Sequence, residues 1–253
     1  MRQRLDEWLE GCDWDFHEKQ YRTTYRITVH FCDWLDKELR LSAGSGEIKV
    51  LDIGAGMGAN IHYMSQRFPV LELTGVEINS ECVRRGSERL RELGANRCSM
   101  ESGDLFALPR EWVGRFSGVV SFATLSWLPT YHDALGAFAD LKPEWMAVTS
   151  LFYDGPVDTT ITTRDYSRPH ASAAFTEKFY NIYSLDLFRT KLESLGYSIA
   201  SVTPFEIDID LPRPVAKGMG TYTEKLADGR RLQISASLIM PWYFVLATRV
   251  ANC

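Results

Sequence analysis

The chain has 253 residues, 45% of them apolar and 24% charged, a balance that suits one large α/β core. A formal net charge of −5 at pH 7 and a pI near 5.6 leave no basic footprint for phosphate backbones or anionic lipid, so neither nucleic acid nor membrane is expected as a partner. The five cysteines are scattered, with no Cys-x-x-Cys pair and no His/Cys cluster of zinc spacing, which points to reduced thiols in a cytoplasmic protein and to no bound metal.

The opening residues MRQRLDEWLE alternate charge with bulk and lack the apolar core of a signal peptide. The apolar run 236–247 is too short to span a bilayer, so the chain reads as soluble and unprocessed. Residues 1–41 read as a helical cover, with Tyr21, Tyr25, Ile27, Phe31, Trp34 and Leu35 at three- and four-residue spacing. After a Gly/Ser-rich break at 42–47, strands and helices alternate. The pattern predicts strand 48–53, helix 59–67, strand 72–77, helix 80–93, strand 96–102, strand 116–122, helix 131–141 and strand 145–152. Such alternation implies a parallel sheet wrapped by helices, with a ligand at the carboxyl ends of the strands. Further on, helix 185–195 is ended by Gly196, and 197–208 and 242–250 read as strands. Two insertions interrupt this order: 154–183, polar and aromatic without a clear pattern, and 208–241, where the turn Ala227-Asp228-Gly229-Arg230 signals a hairpin.

Four segments fall where successive strands end. Val50 to Asn60 reads VLDIGAGMGAN, a buried strand running into Gly54, Gly56 and Gly58, which let a ligand lie directly on the backbone. The Gly-x-Gly pair also fits a dinucleotide turn, but Asp52 would repel a pyrophosphate and attract a cation, so a nucleoside with a positive, zwitterionic tail suits it better. Glu77, in LTGVEIN, stands 25 positions after Asp52 and can accept both hydrogen bonds of a ribose diol. In Ser102-Gly103-Asp104-Leu105 the acid can accept from an adenine amine while Leu105 packs on the ring, and VVSFATLSWL at 119–128 is a strand opening into a loop.

With these four motifs in order, residues 49–152 resemble the class I S-adenosylmethionine-dependent methyltransferases of small-molecule type. The resemblance implies an α/β, Rossmann-like, doubly wound sheet of seven strands with an antiparallel last strand, preceded by N-terminal helices and carrying a β-hairpin insertion before that strand. It implies a single domain over 1–253, with a cofactor-binding core at 48–153 and substrate-side insertions at 154–183 and 208–241. By the same resemblance Gly54, Ala55 and Gly56 face the methionine and ribose of S-adenosylmethionine, and Asp52 holds the amino end. Glu77 binds the ribose hydroxyls, Ile78, Asp104 and Leu105 enclose adenine, and Ser121 and Phe122 offer backbone groups to the methionine portion. Tyr21, Arg22, Tyr25 and Arg26 are available to cover the cofactor carboxylate, Tyr21 standing among the expected cofactor-binding residues.

An alcohol or ammonium acceptor needs a base within reach. His132, Asp154, Tyr166, His170 and Tyr183 are candidates, and His132 and His170 suit best by the ordinary pKa of histidine. The sequence lacks the Asn/Asp-Pro-Pro-Tyr element of adenine and glutamine N-methyltransferases. The insertions suit a small polar acceptor, methylated on oxygen, such as a sugar or a carboxylated metabolite, with Arg164, Arg168, Arg230 and Arg231 able to bind a carboxylate or phosphate. A non-catalytic S-adenosylmethionine-binding module and a nicotinamide-dependent oxidoreductase are the rival readings, and a homodimer is left open.

Overall fold

A computed structural model describes residues 14–167, 174–215 and 218–250. The predicted alternation is present: β1 (Ile48–Ile53), β2 (Leu71–Glu77), β3 (Cys98–Ser102), β4 (Gly118–Phe122) and β5 (Trp145–Tyr153) are parallel neighbours in the order β3-β2-β1-β4-β5. The chain builds outward from β1 to β3 and then crosses to β4, so the sheet's switch point, where open α/β sheets bind ligands, lies between β1 and β4. The last strand, Trp242–Arg249, runs antiparallel between β5 and the strand Tyr197–Pro204. This is the seven-strand path implied by the resemblance. An eighth, two-residue strand at Tyr183–Ser184 pairs in parallel with the end of β5.

Alternation along the strands decides the two faces. Leu51, Ile53 and Val119 pack with Leu135 and Phe138 of the helix His132–Asp140 and with Phe188 and Leu192 of the helix Leu185–Ser194. Val50 and Val120 point the other way, against Phe31 and Leu35 of the helix Arg26–Leu39, Ile61 of the helix Ala59–Arg67, and Leu90 of the helix Ser80–Glu92. In chain order the helices are α1 (Trp14–Arg22), α2 (Arg26–Leu39), α3 (Ala59–Arg67), α4 (Ser80–Glu92), α5 (His132–Asp140) and α6 (Leu185–Ser194). Of the N-terminal helices expected ahead of the sheet, two are described: the chain breaks between Arg22 and Arg26, and extended backbone at Tyr25 (φ −66°, ψ 142°) starts the second.

The remaining strands are β6 (Thr162–Asp165), β7 (Thr176–Phe179), β8 (Tyr183–Ser184), β9 (Tyr197–Pro204), β10 (Thr221–Lys225), β11 (Arg231–Ser235), β12 (Leu238–Ile239) and β13 (Trp242–Arg249). The first insertion, unassigned from sequence, is a β6–β7 hairpin returned to the core by β8. The hairpin read in the second insertion is β10–β11, extended by β12 into a three-stranded sheet. Strand β9 ends at Pro204, short of the predicted Asp208, and Asp208 pairs with Arg26 and with His30 of α2.

Asn181, 1% exposed, ties the first insertion down. Its amide donates to the carbonyls of Leu128 (2.9 Å) and Pro129 (3.3 Å), and its side-chain oxygen accepts from the Ile161 amide at 3.0 Å. An Asn181→Leu variant deprives the Ile161 amide and the Pro129 carbonyl of this partner, at a cost of about 1–3 kcal/mol. Thermal denaturation should register that loss, and a variant as stable as the parent would refute this role. No helix among the described residues is long and apolar enough to cross a membrane.

Candidate active site

The turn after β1 uses backbone conformations that only glycine takes without strain: Gly54, Gly56 and Gly58 have φ of 78°, 56° and 85°. Strand β2 holds the turn. The amides of Gly54 and Ala55 donate to the Val76 carbonyl at 3.0 and 3.1 Å, and the Gly56 amide donates to Glu77 Oε2 at 3.0 Å. The other oxygen of Glu77 accepts from the Asn79 amide at 3.1 Å. Glu77 is therefore fixed at the rim of the turn, and each oxygen keeps a lone pair for a hydroxyl donor.

Asp52 lies one layer below. It is 0% exposed, and neither carboxylate oxygen has a hydrogen-bond partner. Its strand neighbours are Gly75 and Val120, which offer no donor side chain. Burial first, and the nearby Glu77 carboxylate second, push its pKa up to about 8. An unpaired carboxylate is costly to bury unless a cation meets it. Beneath a glycine turn, this arrangement fits a ligand that carries a positive group and a diol.

Three further residues enclose the turn, and sequence reasoning missed them. A Cβ at Gly56 would stand 2.7 Å from Cε1 of His17, and one at Gly54 would stand 2.4 Å from Oγ1 of Thr124. A Cβ at Gly86 would meet the Met57 carbonyl oxygen at 2.5 Å, so α4 presses on the back of the turn. His17 was detectable as the residue one helical turn before Tyr21, and Gly86 as a glycine within a helical pattern. Helix α1 is docked by Arg85 over the Trp14 ring (3.9 Å) and Arg89 over the Tyr21 ring (5.8 Å).

The other predicted residues occupy definite places. The Tyr21 hydroxyl donates to the Met57 carbonyl at 2.5 Å, so it holds the turn itself. Ser121 Oγ donates to the Ile53 carbonyl at 2.9 Å and stitches β4 to β1, while Phe122 packs on the Phe31 ring at 4.6 Å. Ile78 follows β2, and Asp104 and Leu105 follow β3, where Asp104 accepts from the Phe106 amide at 2.9 Å. These residues stand together at the carboxyl ends of β1 to β4.

The candidate bases among the described residues do not gather there. His132 is exposed at the start of α5, its ring beside Tyr131 on the flank opposite Asp52. Tyr166 is 67% exposed and packs on Phe175, and Asp154 is exposed. The Tyr183 hydroxyl, pushed up to about 12 by burial, is shared between the carbonyls of Leu125 and Leu128. His170 and Arg168 lie outside the described residues. The arginines expected to bind an acceptor are engaged at home: Arg164 with Glu177 (3.0 Å), Arg230 with Asp228 (2.8 Å) and Arg231 with Asp210 (2.6 Å). Among the described residues no group of three or more His, Cys, Asp or Glu side chains could hold a metal ion.

Residues 50–143 match the family model described as a methyltransferase domain. The matched stretch runs from β1 through α5 and contains the glycine turn, Glu77, Asp104 and Ser121. Over 140 residues the chain is 25% identical to a malonyl-[acyl-carrier protein] O-methyltransferase of Priestia megaterium, covering 55% of this chain and 49% of that protein. Over 95 residues it is 37% identical to the enzyme of the same name from Chlorobium phaeovibrioides, covering 36% of this chain and 35% of the relative. The chain thus aligns with half or less of these curated relatives. The methyltransferase fold itself extends further: magnesium protoporphyrin IX methyltransferase from Synechocystis PCC 6803 superposes with a TM-score of 0.55 over 98% of this chain and 93% of its own, at 15% identity.

Proposed function

We propose that the chain transfers a methyl group from S-adenosylmethionine to a carboxylate oxygen of a small molecule, with 48–153 as the cofactor core and the insertions 154–183 and 208–241 on the acceptor side. The observation that carries the donor is the unpaired, buried Asp52 beneath the glycine turn, with Glu77 fixed at its rim. Asp52 would face the positive end of the cofactor, Glu77 would accept from the ribose hydroxyls, and Asp104 would accept from the adenine amine. When bound, the cofactor supplies a sulfonium methyl open to in-line displacement. His17, Thr124 and Tyr21 close over and around the turn, and they exclude water from that displacement.

Two observations favour a carboxylate acceptor over the sugar. Of the described bases read from the sequence none lies at the turn, where His17 is the nearest imidazole, and a carboxylate, ionised near neutral pH, needs no base. The two curated relatives are named for O-methylation of a malonyl group. Titration calorimetry with S-adenosylmethionine should give a Kd of about 10 μM, equivalent to about −7 kcal/mol. Glu77→Gln should weaken binding about tenfold by removing a charged acceptor. An absence of binding up to about 1 mM would sink the donor assignment. A methylated product resistant to mild alkali would sink the ester assignment.

A further inference from the structure

The sheet face that carries Asp52 also carries Thr149 of β5 and Trp242 of β13. Along β5, Trp145, Ala147, Thr149 and Leu151 alternate toward α2, and along β13 so do Trp242, Phe244 and Leu246. Trp242 pairs with Leu151 and Phe244 with Thr149, which makes Thr149 and Trp242 diagonal neighbours near the carboxyl end of β5. Thr149 is 1% and Trp242 7% exposed, yet neither Thr149 Oγ1 nor Trp242 Nε1 has a hydrogen-bond partner. Comparable donors find partners: Trp34 Nε1 of α2 donates to Ser201 Oγ of β9 at 3.3 Å, and Ser121 Oγ of β4 donates to the Ile53 carbonyl at 2.9 Å. Two buried donors without a protein partner, diagonal on one face, call for an explanation.

The surroundings are apolar and come from every acceptor-side element. Ile27 of α2, Trp127 of the loop after β4, Tyr180 of the first insertion, Phe205 just after β9, and Met240 of the second insertion pack in one cluster with Trp242. Ala123, in the same cluster, holds a left-handed backbone (φ 61°) where its amide donates to the Thr149 carbonyl at 2.9 Å. Lys178 Nζ stands over the Trp127 ring, 5.3 Å from its centre. An indole N–H can only donate and a hydroxyl can donate, so the complement is an oxygen acceptor borne on an apolar body.

Resting on the methyl-transfer reading, we infer that Thr149 Oγ1 and Trp242 Nε1 hold a carboxylate oxygen of the methyl acceptor, whose apolar chain lies against Trp127, Tyr180 and Met240. The acceptor class is therefore an aliphatic or acyl-chain carboxylate, not a sugar.

The test uses the full chain, sodium octanoate as probe, and 1-octanol and octanamide as controls. Octanoate should shift the indole 15N–1H cross-peak of Trp242, assigned by its absence in Trp242→Phe, and octanol should bind at least tenfold more weakly. Thr149→Val should weaken octanoate binding about tenfold while leaving the thermal midpoint unchanged or higher, because the lost hydroxyl had no partner in the protein. A lowered midpoint with unchanged octanoate affinity would mark Thr149 as structural and overturn the inference. So would equal binding of octanoate and octanol, or no binding of octanoate by the parent. S-adenosylhomocysteine is titrated into the same samples. If it does not bind, the methyl-transfer reading fails separately, since the octanoate measurement is made without it.

Discussion

Replacing Asp52 by Asn should cost 10- to 100-fold in affinity for S-adenosylmethionine while the protein stays folded. A hydrogen bond or close approach between a charged donor and a carboxylate contributes about 1.5–3 kcal/mol, and asparagine keeps the shape without the charge. The folded protein should tolerate the change because Asp52 makes no hydrogen bond that could be lost. The pH dependence has a definite sign. The Asp52 pKa, raised to about 8, exceeds the ordinary value of 3.8, so the folded chain holds a proton that the unfolded chain has released. Its contribution to stability is complete below pH 4 and is lost as pH rises toward 8, by about 1.4 kcal/mol for each pH unit at most. Asp52→Asn should flatten that slope. Cofactor binding acts in the opposite direction, because a cation at the site favours the ionised carboxylate. Affinity should therefore rise between pH 6 and pH 8, with release of a proton visible as a buffer-dependent heat in calorimetry. Glu77 faces Asp52 from β2, and His17 faces the turn from α1, so Glu77→Gln and His17→Gln are run beside it to separate their contributions. Equal affinity at pH 6 and pH 8, or an Asp52→Asn variant that binds like the parent, would refute this role for the buried acid.

A Gly86→Ala substitution should destabilise the protein and damage the site without touching the ligand. Two effects compete. Alanine in a helix is favoured over glycine by about 0.8–1 kcal/mol. Against this, the new Cβ would stand 2.5 Å from the Met57 carbonyl oxygen and 3.0 Å from its carbon, and backbone cannot swing aside as a side chain would. Overpacking of this kind costs about 1–3 kcal/mol. The clash should win, for a net loss of up to about 2 kcal/mol and a fall of about 4–8 °C in thermal midpoint. Displacing Met57 also moves the glycine turn, whose neighbouring amide is held by Glu77, and cofactor affinity should drop tenfold or more. Gly136 of α5 supplies the control, because a Cβ there meets nothing within 4 Å. Gly136→Ala should stabilise by up to about 1 kcal/mol. Two glycine-to-alanine changes in helices of one protein should thus have opposite signs, and Gly86→Ala stabilising as much as Gly136→Ala would overturn the packing argument.

Local chemistry explains what was readable in the chain. The glycines of the turn need φ above zero, a demand that only glycine meets cheaply, so the turn announces itself at Gly54, Gly56 and Gly58. The strands β1 and β4 are short apolar runs, and the helix α3 begins and ends where its pattern does. The first insertion was opaque because its fold rests on distant partners. Asn181 finds Leu128, Pro129 and Ile161, and Tyr183 adds to the end of β5, and none of these contacts leaves a periodic trace. The ion pairs of the arginines were hidden for a similar reason: charge is visible in a sequence, but the carboxylates that engage Arg164 and Arg231 lie 13 and 21 residues away.

The sequence by itself determined the alternation of strands and helices, the glycine turn, and the acids at Asp52, Glu77 and Asp104, because backbone sterics and hydrophobic periodicity act between near neighbours. Only the tertiary structure decided that Asp52 is fully buried and unpaired and that His17 and Gly86 enclose the turn. It alone brought Thr149 and Trp242 to one face as donors without partners. Burial and hydrogen-bond satisfaction depend on which distant atoms arrive, and they are set when the sheet closes around them.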